Sequence, residues 1–472
     1  MHNNSSAPRL KTERLTFFVT ALGTYMASLD LSIVNIAFPS IEQSFPYDSR
    51  AALSWVVSGY TIIFGALLVS AGRYGDRSGR RRTFYLGLVI FSLGSALCAL
   101  APSVVTVILG RVVQGLGAAA LLPASLGLLL GAFSPERRSQ VVTLWAGIGA
   151  LAVATGPTLG AGLISLGGWR LVFVVNIPIA IVALVLGRRC LVESERSVST
   201  IRPDYFGVVL VTTSIASVVF GISQGASWGW TSRFVLSAFA LSLVSGYWFI
   251  RRSMNHLQPV VDLSLFRIRS FSAANAATFL YAMAFFAMLL GNILFLTSVW
   301  HFSTLDAGLS ITPTPIVVAL VSGFAGKVAR RYGFRIVMIF GSVIYACGLA
   351  SFGIFAGGVP NYLFHWLPSS LIVGVGIGST FPILSAAAVA DLSPSDFGVG
   401  SALNQTARQI GGAVGVAILV VILAGSSRRS GNFGNFQDLW WYESATAIAS
   451  GVFGSFLSSR SRSHSDLKAS AD

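Results

Sequence analysis

Two opposite charges interrupt long apolar stretches of this chain: Asp30 within the run 15–38 and Arg111 within the run 104–127. Asp30 is the only carboxylate well inside such a stretch in the first half. A charge at membrane depth costs several kcal/mol unless it is paired or faces water, so it is a functional candidate by default. With the first run heading outward and ending near Pro39, Asp30 lies about 8 residues, or roughly 12 Å, from its outer end. Arg111 lies about 7 residues, or roughly 10 Å, from the outer end of a run heading inward, so the two share nearly one depth. A nearby cation favours an ionised carboxylate and loss of water disfavours it. A site where those influences trade places can load and release a proton. The same carboxylate could instead take a cationic substrate, serve both purposes, or simply pair with Arg111 and hold two helices together. Gln114, one turn from Arg111 on nearly the same face, and Asn35 could hydrogen-bond either a cargo or another helix. In the second half, Arg408 has Gln405 one turn away and no carboxylate near it in sequence, which points to backbone carbonyls or water as its partners. Glu443, about five residues into the last stretch, reads as shallow enough to be solvated.

These residues need a scaffold of membrane-crossing helices, and the composition provides for one. The chain is 54% hydrophobic and 10% charged, too apolar for a water-soluble core to cover. A span takes roughly 20 apolar residues. Fourteen stretches qualify: 15–38, 51–71, 83–101, 104–127, 139–164, 171–187, 205–222, 232–250, 271–297, 305–326, 335–356, 365–390, 397–424 and 438–458. The gaps are short, leaving no sizeable soluble domain. The polar, basic N-terminus leads into an apolar run without a small-residue cleavage site, which reads as an uncleaved first span.

The net charge of +15 would suit a polyanion partner, yet its distribution answers to topology. Of 32 Lys and Arg residues, 25 fall in one alternate set of gaps and termini, five (Arg50, Arg170, Arg233, Arg428, Arg429) in the other, and Arg111 and Arg408 within spans. This is the positive-inside pattern, and it puts both termini in the cytoplasm. Cys98, Cys190 and Cys347 are scattered, with neither disulfide nor metal spacing. No phosphate-binding glycine motif lies on a soluble element. Energy for any transport would then come from an ion gradient or the membrane potential, or transport would be downhill.

The chain contains an internal repeat. Shifted by 254 residues, the gap 72–81 superposes Gly72 on Gly326, Arg73 on Lys327, Arg77 on Arg331, Gly79 on Gly333 and Arg81 on Arg335. Six spans precede residue 188, six follow residue 270 and two lie between, so the expected domains are a first six-helix bundle (1–187), a linker with two added spans (188–270), and a second bundle with a short tail (271–472). Secondary transporters are often built this way, with the site between halves near the midplane. In the gap itself, Gly72 and Gly79 permit a tight turn, and Asp76 can accept from a helix N-terminus or pair with neighbouring arginines. Gly156-Pro157, among small residues that include Gly160, reads as a kink where another helix can lie close.

The gap Gly72–Arg81, in the pattern G-x-x-x-D-R-x-G-R-R, resembles the cytoplasmic signature of the major facilitator superfamily. Four further elements resemble its fourteen-span drug–proton antiporter branch: Leu29-Asp30 through Phe38-Pro39, Trp55 to Tyr60, Arg111 to Gly117, and Gly156-Pro157-Thr158-Leu159-Gly160 followed by Trp169-Arg170. Tyr74 departs from the smaller aliphatic residue usual in the family. The resemblance implies that spans 1 and 4 line a central cavity and that Asp30 and Arg111 couple proton to substrate. It also implies that the gap bearing Gly72, Asp76, Arg77, Gly79 and Arg80 latches one state of the cycle, and that Gly156, Pro157 and Gly160 form the antiporter kink found in exporters.

The resulting expectation is an all-α polytopic protein of a bacterial inner membrane, exporting amphipathic or cationic small molecules in exchange for protons. Its partners would be substrate, protons and lipid, with no nucleic acid, nucleotide, metal or other cofactor, and it would work as a monomer. Asn35, Gln114, Gln405 and Arg408 would line the cavity. A dedicated exporter of one metabolite or lipid, or an importer, fits the same fold. A membrane-embedded enzyme would need clustered catalytic groups at one membrane face, and a sensor would be expected to carry a soluble signalling domain.

Overall fold

A computed structural model describes residues 6–193, 204–257, 259–392, 397–424 and 431–457, and every regular element in them is helical. Most of the linker 188–204 lies outside the described residues, as do the tail beyond 457 and the expected topogenic residues Arg196, Arg202, Arg428, Arg429, Arg460, Arg462 and Lys468.

The chain divides into two compact units, 1–208 and 209–472. The first holds α1 (Ser6–Ser44), α2 (Arg50–Leu53), α3 (Trp55–Ser78), α4 (Arg80–Ala99), α5 (Val104–Ala132), α6 (Pro135–Gly167), α7 (Leu171–Val174) and α8 (Asn176–Cys190). The boundary falls early in α9 (Tyr205–Trp228). The second unit continues with α10 (Arg233–Asn255), α11 (Arg269–Ser298), α12 (Thr304–Ile311), α13 (Pro313–Tyr332), α14 (Phe334–Phe355), α15 (Leu367–Val389), α16 (Phe397–Ala424) and α17 (Gly431–Gly454).

Among the described residues, twelve helical segments are long and apolar enough to cross a membrane, or thirteen if the bent α6 counts as one span. This falls short of the fourteen expected. The element that does not qualify is α17, whose Asn435, Gln437, Asp438 and Glu443 dilute an otherwise apolar helix. The bend in α6 is 42°, between 147–153 and 155–167. Pro157 lies just beyond it and supplies the cause: it has no N–H to give the carbonyl one turn back.

The two units repeat one helix-pairing scheme. In the first, α1 packs on α6 and α8, α4 on α5 and α8, and α3 on α5; in the second, α11 packs on α16 and α17, α14 on α15 and α17, and α13 on α15. The 254-residue shift extends beyond the gap that suggested it. Gly87 and Gly94 of α4 meet α5 backbone, and Gly341 and Gly348, in the same register, meet α15. The repeated turns match as well: Gly79 (φ 103°) and Gly333 (φ 90°) each end one helix and begin the next, a conformation that only glycine takes without strain. Gly79 alone makes the first turn, however. Gly72 lies inside α3, facing Pro123 of α5.

The two central helices are tied by reciprocal bonds, Ser214 Oγ to the Ser242 carbonyl (2.9 Å) and Ser242 Oγ to the Ser214 carbonyl (2.8 Å). α10 leaves Leu243, Tyr247 and Trp248 exposed, as lipid-facing side chains are. In the second unit Phe295, Phe352, Trp366 and Trp440 form a buried aromatic cluster with neighbouring centroids 4.5–5.6 Å apart.

Candidate functional site

Asp30 and Arg111 meet inside the first unit, essentially inaccessible to solvent. Arg111 Nη1 donates to Asp30 Oδ2. The other carboxylate oxygen, Oδ1, accepts from Gln114 Nε2 at 3.1 Å and from Asn176 Nδ2 at 3.4 Å. Arg111 also donates to the Val56 carbonyl (2.8 Å) and to Gln114 Oε1 (2.8 Å), and its guanidinium lies 4.4 Å from the Tyr60 ring centre. Ser95 Oγ accepts from Gln114 (2.7 Å) and Asn176 (3.3 Å). The network therefore joins α1, α3, α4, α5 and α8 around one ion pair.

Local sequence explains how the groups converge. Gly94 and Gly110 bring α4 and α5 together until a Cβ on Gly94 would lie 2.7 Å from the Gln114 amide nitrogen, which places Ser95 beside Gln114. Arg111 and Gln114, three residues apart, project from the same face of α5. A buried ion pair is tolerated where the remaining lone pairs and protons find partners, and here the carboxylate has three donors.

The kink elements border this network. Gly156 packs on Ser32 and Gly160 on Ile33 and Ile36 of α1, within two turns of Asp30. A Cβ on Gly156 would fall 1.8 Å from Ser32 Oγ. Asn35 is buried but outside the network; its amide donates to the Leu31 carbonyl (3.0 Å) and its Oδ1 has no partner.

In the turn between α3 and α4, Asp76 pairs with Arg80 at 2.9 Å, one of the two roles open to it. The other belongs to Glu193, which follows α8 and accepts from the Arg81 amide at the start of α4 (2.9 Å). Arg80 lies across Gly127 of α5. Arg77 lines a cavity of about 530 Å³ with Tyr74, Ser78, Arg82 and Leu86.

In the second unit Arg408 has side-chain partners, where the sequence pointed to backbone carbonyls or water. Arg408 donates to Gln405 Oε1 (3.2 Å) and Ser385 Oγ (2.6 Å) and lies 4.1 Å from the Phe381 ring centre. Glu443 corrects a further expectation. Because α17 starts at Gly431, before the apolar run does, Glu443 is fully buried rather than solvated.

Asn176, Ser95, Glu193 and Ser385 were not singled out from sequence, and Tyr60 entered only as the end of the Trp55–Tyr60 element. The spacing of Arg111 and Gln114 identifies the face of α5 that carries the site, and no comparable signal marks the others.

The chain as a whole has known relatives. The profile of the Major Facilitator Superfamily matches residues 20–416. The chain is 33% identical over 426 residues to "Multidrug resistance protein Stp" of Mycobacterium tuberculosis, covering 88% of this chain and 76% of that protein. It is 31% identical over 429 residues to "Tetracenomycin C resistance and export protein" of Streptomyces glaucescens (90% and 78%). It is 32% identical over 408 residues to "Methylenomycin A resistance protein" of Bacillus subtilis (86% of each). Among solved structures, the POT family transporter PepTSo has a TM-score of 0.67 at 14% identity, covering 93% of this chain and 97% of that one. The xylose transporter XylE from E. coli scores 0.63 at 14% identity, covering 94% and 97%.

Proposed function

Because the chain belongs to the Major Facilitator Superfamily, we propose that it is a proton-coupled exporter of amphipathic or cationic small molecules, working by alternating access between its two six-helix bundles. In this reading α17 is the fourteenth span, α9 and α10 are the two added ones, and both termini face the cytoplasm of a bacterial inner membrane. The observation that carries the proposal is the sealed Asp30–Arg111 pair with its three-donor carboxylate. The names of the relatives, multidrug and antibiotic resistance proteins, support export as the direction and drugs as the cargo.

The pair supplies a means of coupling. A proton on Asp30 cancels the charge that faces Arg111, leaving the guanidinium with the Val56 carbonyl and Gln114 as neutral acceptors. That loss favours a packing in which α1 and α5 separate. A cationic substrate competes for the same carboxylate, so proton and cargo exclude each other. A gradient drives export only when each ligand prefers a different-facing state. Gly156 and Pro157 let α6 bend where it touches α1 beside Asp30, and Asp76 with Arg80 gates at the turn after α3.

A narrower reading, an exporter dedicated to one natural product, is favoured by the two relatives named for resistance to single compounds. Growth inhibition and dye efflux across a compound panel, with and without a protonophore, test both. Broad resistance abolished by the protonophore supports the first reading, and protection against one scaffold supports the second. Protonophore-insensitive efflux refutes proton coupling.

A further inference from the structure

Glu443 is a carboxyl group with nothing to hold its charge. It is fully buried on α17, and neither carboxyl oxygen has a hydrogen-bond partner. Its Oε1 lies 3.8 Å from where a Cβ on Gly291 of α11 would stand, in a niche shared with Leu419 of α16 and Leu439 of its own helix. The titratable groups within electrostatic reach are the phenols of Tyr345 on α14 and Tyr442 on α17. Tyr345 directs its hydroxyl to Met288 Sδ at 3.7 Å, and no Lys or Arg among the described residues pairs with Glu443.

The internal repeat explains why this carboxyl lacks partners. Gly187 of α8 meets Tyr85 of α4, and Gly454 of α17 meets Met338 of α14. Met338 lies one residue from the position equivalent to Tyr85, so those contacts align α8 with α17 at a shift of about 267 residues and bring Glu443 to within one residue of the position of Asn176. Between α5 and α15 the shift is 259: Gln114 and Val373 meet Gly94 and Gly348, while Gly117 and Gly376 meet Phe91 and Tyr345. Arg111 then corresponds to Ser370, Gln114 to Val373 and, at the shift of 254, Ser95 to Leu349. Glu443 thus lies on the stretch of α17 that matches the Asn176 stretch of α8, where the cation, the amide donor and the hydroxyl acceptor of the first unit's network are replaced by Ser370, Val373 and Leu349. An ion left unpaired in such a place is costly, whereas a neutral acid is tolerated.

The geometry points to Glu443 as a second proton carrier of the transport cycle, the second unit's counterpart of Asp30. It keeps its proton while α11, α14 and α17 pack as they do here. When those helices part and water enters, the carboxyl O–H bond breaks, the proton passes to water as hydronium, and the carboxylate remains. The inference rests on the proton-coupled reading above and adds a second site to it.

The test uses the full-length protein in liposomes with ethidium as probe, measuring protons moved per ethidium and the ethidium gradient held by one pH unit. Each proton moved down one pH unit is worth a factor of ten. Glu443→Gln, nearly isosteric and unable to ionise, is expected to lower the count by one and the gradient about tenfold, and Glu443→Asp to restore the count. N,N′-dicyclohexylcarbodiimide, which adds to protonated carboxyls in apolar surroundings, should label Glu443 in the wild type less as pH rises. An unchanged proton count in Glu443→Gln, or wild-type labelling at Glu443 that ignores pH, overturns the inference and leaves the proton-coupled reading intact. A wild-type protein whose ethidium transport ignores the pH gradient overturns both.

Discussion

Asp30→Asn is the sharpest perturbation of the ion pair, since it keeps shape and removes charge. All three side-chain nitrogens around the carboxylate, on Arg111, Gln114 and Asn176, are donors. The new amide has one acceptor oxygen, so its own NH₂ must face at least one of them. Arg111, only 1% exposed, is left buried without a counter-charge. Breaking a buried pair from one side costs about 3–5 kcal/mol, which for a unit of this size lowers the melting temperature by on the order of 10 °C. Cys98 reports the change from within, because its Sγ lies 3.8 Å from Gln114 Oε1 and is buried. In detergent, with the exposed Cys347 replaced by Ser in both proteins, a thiol-reactive dye should therefore label Asp30→Asn at lower temperature than its parent. Replacing both charges, as in Asp30→Asn with Arg111→Met, should recover most of the loss, because an apolar pair of similar volume is often as stable as a buried ion pair. Neither variant should sustain ethidium export driven by a pH gradient. Asp30→Asn melting with the wild type, or a double variant as unstable as the two single losses added, would refute the claim that the charges act as a unit.

Gly156→Ala should drive a methyl group into Ser32 Oγ, 1.8 Å away, at a cost of about 1–3 kcal/mol. Export should fall several-fold, Gly156→Ala with Ser32→Ala should regain most of it, and equal rates for the single variant and wild type would count against close α1–α6 contact. Asp76→Asn removes a partly exposed pair with Arg80 and, after solvent screening, should cost under about 1 kcal/mol of stability. It should lower ethidium turnover while ethidium binding, read by fluorescence titration, stays near wild type; a parallel loss of binding would assign Asp76 to the substrate path.

The parts of the site legible in the sequence are those in which charge conflicts with surroundings. Asp30 and Arg111 each interrupt an apolar run, and counting residues from the run's end gives their depth. Depth alone, however, does not say which way a side chain turns. Asn176 and Ser95 look like any polar residue in a membrane helix until Gly94 draws α4 onto α5 and Ser95 accepts from Gln114 and Asn176, the two amides that bond the carboxylate. Glu193, lying beyond the sixth span, caps α4 through a contact more than a hundred residues distant in sequence, which no local pattern encodes. The same limitation misplaced Glu443: an apolar window marks where a helix is greasy, whereas backbone hydrogen bonding carries α17 back through Asn435 and Gln437 to Gly431. The repeat could be read further than hydropathy allows because glycines at close helix contacts are fixed by backbone distance rather than by polarity. Gly87 with Gly341 and Gly94 with Gly348 keep their register while the side chains around them diverge. That persistence allows α4 and α5 to be aligned with α14 and α15 residue by residue, and α8 with α17 to within one residue, which reveals a carboxyl in the second unit close to where the first holds an amide.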